Sequence, residues 1–109
     1  MEITVNKPNG GKPKVRYAVH YKDRNYEYAL HSDKRHFIRN IADVVNIIEY
    51  CVTMDLKKNG YAMDDNFYDF KVFRLVNDVE DAEWDGEKFK GIMNQLVAQI
   101  AKDNIQRNV

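Results

Sequence analysis

Residues 33–58 read DKRHFIRNIADVVNIIEYCVTMDLKK, and the apolar positions in this stretch decide the fold. Phe37, Ile38, Ile41, Val44, Val45, Ile48, Val52 and Leu56 recur at spacings of three and four, the repeat of one face of an α-helix. Ile47 and Cys51 widen that stripe, so more than half of such a helix has to be covered. The spacing predicts a helix over 33–58. Ser32 or Asp33 offers its N-cap, because a short side-chain oxygen can accept from the first free backbone N–H groups. Lys57 and Lys58 complement the negative end of the helix dipole, and Asn59-Gly60 supplies a left-handed stop.

A helix with so broad an apolar stripe needs a sheet to lie on, and the residues before it supply one. From Lys14 to Tyr21 the sequence alternates with period two. Val15, Tyr17, Val19 and Tyr21 point one way, and Lys14, Arg16, Ala18 and His20 point the other. A polar connection at 22–25 precedes a second alternation in Tyr26, Tyr28 and Leu30, so 14–30 is expected to be a β-hairpin. Residues 2–6 read as a further short strand, closed by Pro8-Asn9-Gly10-Gly11.

Downstream, 61–66 reads as a loop and Phe67 to Val76 as a strand. Its alternation slips at Phe73-Arg74, which signals a bulge or two buried faces. Phe89, Ile92, Met93, Leu96, Val97 and Ile100 then mark a second amphipathic helix over about 86–105. The expected order is β-ββ-α-β-α. This is a single α+β domain over 1–109, with an antiparallel sheet of about four strands and two helices on one face.

Composition agrees with one small globular domain. The chain has 109 residues, 44% apolar and 31% charged, with seven Tyr, five Phe and one Trp to fill a core. Cys51 is the single cysteine, which excludes an internal disulfide and a multi-cysteine zinc site. A cytoplasmic, soluble protein is expected, with no signal segment and no membrane partner. Net charge is zero, yet residues 1–40 hold nine Lys/Arg against four Asp/Glu, and 41–109 hold eight against thirteen. That division leaves room for two faces of opposite potential.

No catalytic motif is present, and the reading is of a protein that is not an enzyme and carries no cofactor. Asn9-Gly10-Gly11 lacks the lysine, length and following helix of a phosphate-binding loop. Ser32, the only serine, sits at a helix cap, and Cys51 lies in the apolar stripe as a packing residue. His31, Asp33, His36 and His20 are the one cluster to weigh for metal, but 31 and 36 miss the helical spacing of three or four that zinc ligands require. No metal site is expected.

Two charged stretches remain. Asp78, Glu80, Asp81, Glu83, Asp85 and Glu87 place six carboxylates in ten residues, with Trp84 among them and no Lys or Arg. In an extended chain, 81, 83, 85 and 87 would project on one side about 6.6 Å apart, near the spacing of phosphates along a nucleic-acid strand. Such a row would dock in a protein groove built for DNA or RNA. The plainer reading is a solvated loop leading into a helix whose positive end favours acids. The second stretch is basic: Lys14, Arg16, His20, Lys22 and Arg24, interleaved with Tyr17 and Tyr21, would form a nucleic-acid-binding hairpin. Arg16-Tyr17-Ala18-Val19-His20-Tyr21 is similar to the central strand of an RNA-recognition motif, but lacks that motif's glycine and central aromatic.

The size, the Lys-, Asn- and Ile-leaning composition and the acidic row together resemble the small phage and mobile-element proteins known as anti-CRISPR proteins, those that block a type II effector nuclease. These share no common motif, so the resemblance assigns no residue a role. It implies a protein-binding inhibitor of a CRISPR effector nuclease, with acids standing in for DNA phosphates. The alternatives are a nucleic-acid-binding accessory protein using the hairpin, and an assembly protein that homodimerises.

Overall fold

The computed structural model describes residues 13–30 and 34–107, which form one α+β domain. Strand β1 (Val15–Tyr21) leads through a two-residue turn into β2 (Arg24–Tyr26). Helix α1 (Ile41–Lys58) follows, then a short 3₁₀ turn (Asp65–Tyr68), strands β3 (Phe70–Val76) and β4 (Val79–Glu80), and helix α2 (Gly86–Arg107). The sheet is antiparallel in the order β2-β1-β3-β4. The strand expected at 2–6, together with Ser32 and Asp33, lies outside the described residues.

The alternation of β1 works as its sequence dictates. Tyr17, Val19 and Tyr21 are buried and half-buried Val15 packs beside them, against Val44, Ile47, Ile48, Cys51, Val52 and Leu56 of α1 and against Phe89, Met93, Val97, Ile100 and Ala101 of α2. Across the sheet, β1 and β3 pair without a break from Val15↔Val76 to Tyr21↔Phe70. The slip at Phe73-Arg74 is therefore no bulge. Phe73 stands opposite Ala18 on the outer face and Arg74 opposite Tyr17 on the inner one. Residues 65–68, half-assigned to that strand by their aromatics, form the 3₁₀ turn instead, with Asp64 accepting from Asn66 N.

The start of α1, the buried face of α2 and the fourth strand differ from expectation, each for a local reason. Helix α1 begins at Ile41 rather than 33, because Asn40 caps it by accepting from Asp43 N at 2.8 Å. Phe37 and Ile38 are extended: Ile38 pairs with Tyr17 and Phe37 with Tyr28, so this segment inserts between β1 and residues 27–29. The helical stripe matched them only because apolar neighbours fit either period. In α2, Ile92 points to solvent, and the buried stripe runs through Phe89, Met93 and Val97 instead. The sheet's fourth described strand is β4, reached by a turn at Asn77 and Asp78 with φ of 52° and 68°. Positive φ at both central residues is the geometry that matches the twist of a tight hairpin. Gly60, with φ 64°, ends α1 as its sequence predicts.

Candidate interaction surfaces

The acidic stretch is neither extended nor a free row. Asp78 lies in the β3–β4 turn and accepts from Arg16 Nε at 3.1 Å. Asp81 pairs with Arg74 at 3.5 Å, and its other oxygen accepts from Glu83 N. The chain then folds back, with Trp84 N donating to Asp81 O and Gly86 N to Trp84 O. Asp85 caps α2 by accepting from Lys88 N at 2.9 Å. Trp84 turns inward: its rings meet Tyr17 and Phe89, and Nε1 donates to Val72 O at 3.1 Å. That bond occupies a strand-edge carbonyl beyond the end of the two-residue β4. A phosphate-spaced row over 81–87 therefore does not form. Glu80, Glu83 and Glu87 remain exposed and make no ion pair with any described residue.

Glu80 and Glu87 line a recess of about 280 Å³ at the edge of the sheet. Phe73 and Trp84 supply its apolar wall, Glu80, Asp81 and Glu87 its acids, and Lys71 and Lys90 its cations. Neither lysine forms an ion pair with a described residue.

The basic hairpin divides between two sides of the sheet. Lys22 Nζ and Arg24 both reach Asp55 Oδ2, at 2.7 and 3.0 Å, on the helix side. Burial alone would raise the Asp55 carboxyl, but the Lys22 hydrogen bond and the Arg24 charge outweigh it and hold the group below its ordinary value. These two cations clamp the hairpin to α1, so they do not share a face with the others. Lys14 is exposed just before β1, tied by its backbone to Asn77. Arg16 and His20 point to the open face of the sheet.

That open face holds residues the sequence reading passed over. Among the described residues no helix covers it. Arg35 lies over the Tyr28 ring at 4.1 Å, Tyr28 stacks on Phe37 at 4.9 Å and 21°, and Arg16 lies over Phe37 at 4.6 Å. Two aromatic rings are thus enclosed by two guanidinium groups, an arrangement held by ring quadrupoles facing cations. Arg16 also donates to Glu27 at 2.7 Å. On the central strands, the His20 ring meets Phe73 edge-on at 4.8 Å, and Lys71 is the cross-strand neighbour of His20. The signal available in sequence was the pair Asn40 and Asp43: a cap there leaves Lys34, Arg35, His36, Phe37 and Arg39 outside the helix.

Cys51 is buried, and burial pushes its thiol above the ordinary value. Among the described residues no three His, Cys, Asp or Glu side chains gather to hold a metal, and no helix is long and apolar enough to cross a membrane. Comparisons with known protein families, curated proteins and solved structures find no match to this chain.

Proposed function

We propose that this is a non-enzymatic binding protein, working in the cytoplasm, whose partner is a protein docked at the acidic edge where β3, β4 and the start of α2 meet. The observation that carries the reading is the recess between Phe73 and Trp84, lined by Glu80 and Glu87, which make no ion pair with any described residue, with exposed Glu83 next to Trp84 in sequence. Aromatic walls and carboxylates favour an arginine or lysine anchor. Lys71 and Lys90 give the recess both signs of charge, which selects a patterned protein surface over a uniform polyanion.

The whole-chain resemblance makes a type II CRISPR effector nuclease the first partner to test, with the carboxylates meeting basic side chains of its DNA-binding groove. The bent course of 81–85 supports docking by separate acids rather than mimicry of a phosphate strand. The test is target-DNA cleavage by a guide-loaded nuclease, run with wild type and with Glu80→Gln, Glu83→Gln and Glu87→Gln combined. Wild type should inhibit, and the triple variant should need about tenfold more protein for the same effect, lost mainly through a slower on-rate. Equal inhibition by both proteins would remove the acidic edge from the reading. Failure of wild type to inhibit any nuclease of a broad panel would remove the nuclease.

A further inference from the structure

We propose that the open face of the sheet, which adjoins the recess at Phe73 and Lys71, is a second site that binds single-stranded nucleic acid. It keeps Lys14, Arg16 and His20 of the hairpin site expected from sequence but not Lys22 and Arg24, which are spent on Asp55. It is a platform assembled from three stretches of chain, and it does not rest on the protein-binding reading above.

Charge favours a polyanion here. Two carboxylates bordering the face, Glu27 and Asp78, are both held by Arg16. Arg35 and Lys71 make no ion pair with any described residue, and Lys14 stands exposed at the start of β1. Among the described strand residues, Glu80 is the one acid on the outer side without an ion pair. Backbone phosphates would meet the free cations.

Stacking favours single strands over duplex. The face offers two stations for bases. At one, exposed Arg35 lies over Tyr28 with Cζ 4.1 Å from the ring centroid, and bases stack on guanidinium groups as they do on aromatic rings. At the other, exposed His20 leans on Phe73 across the two central strands. Unstacked bases reach both; paired bases reach neither.

The test is fluorescence anisotropy with a labelled oligo-dT of about sixteen nucleotides, beside a duplex of equal length and a poly(Glu,Tyr) copolymer. Wild type should bind the oligo-dT at least about tenfold more tightly than the duplex. Arg35→Ala combined with Lys71→Ala should weaken oligo-dT binding about tenfold or more. It should also flatten the salt dependence, since each lost phosphate contact removes about 0.7 from the log–log slope. Both side chains are exposed, so the melting temperature should fall by no more than a few degrees, the cost of the Arg35–Tyr28 contact. His20→Ala should weaken binding and leave the slope alone, as a lost stacking contact does. The combined Glu80, Glu83 and Glu87 to Gln variant should bind oligo-dT at least as well as wild type, which keeps the two sites distinguishable. Absence of oligo-dT binding at low salt, or binding untouched by the arginine changes, overturns the proposal. Tighter binding of poly(Glu,Tyr) than of oligo-dT would assign the face to an acidic protein segment instead.

Discussion

On the helix side of the sheet, Lys22 and Arg24 converge on Asp55, whose side chain is 11% exposed. On the open side, Arg16 is held by Glu27 and Asp78, which are 51% and 75% exposed. The chemistry is the same, cations from one hairpin on carboxylates, but the surroundings differ. Asp55 meets little water, so losing Lys22 or Arg24 leaves its buried carboxylate with a single cation, although both cations stay partly hydrated at 29% and 37% exposure. Arg16 is itself 18% exposed, but Glu27 and Asp78 stand in water that competes for both bonds, and the clamp serves to position groups more than to stabilise them. The comparison teaches that the role of a charged residue in this chain follows from the sheet face it lands on, which the hairpin's composition does not state.

The strongest way to break the comparison is to open the helix side. Ile48, fully buried in α1, should cost about 2–5 kcal/mol on truncation to Ala, read as a lower urea midpoint. An unchanged midpoint would refute the core. Asp55→Asn comes next, at about 1–3 kcal/mol, and it also sharpens the contrast through pH. The folded carboxyl titrates below its unfolded value, so its stabilisation is complete above about pH 4 and is lost as pH falls through the folded value. Wild type should therefore lose stability on acidification more steeply than Asp55→Asn, as seen in melts between neutral and acid pH. Smallest should be Arg16→Ala, at about 1 kcal/mol or less, with its measurable effect on oligo-dT binding instead. A larger loss of stability than for Asp55→Asn would invert the contrast.

How much of this could be read in advance depended on the range of the interaction concerned. The alternation of β1 and the stripe of α1 from Ile41 onward are local periods, and they place the core correctly. The start of α1 was harder, because Phe37 and Ile38 satisfy both a helical and an extended pattern. Only the strand pairing of Ile38 with Tyr17 decides between them. The acidic row failed for a different reason. Asp81 and Asp85 each accept from a backbone N–H two or three residues on, a local alternative that bends the chain. The ring stack of Tyr28, Phe37, Arg16 and Arg35 was illegible because it depends on which segments become neighbours in the sheet.

Trp84 carries one more consequence. It is the sole tryptophan of the chain, and its indole stands in the wall of the recess with Nε1 committed to Val72 O. The ultraviolet emission of the protein therefore originates at the edge proposed for the partner. An anchor entering beside it would exchange water for side chain around the ring and shift the emission maximum. Ligands on the Tyr28 and Phe37 end of the face would leave that maximum in place, so the protein carries its own optical probe for telling the two surfaces apart.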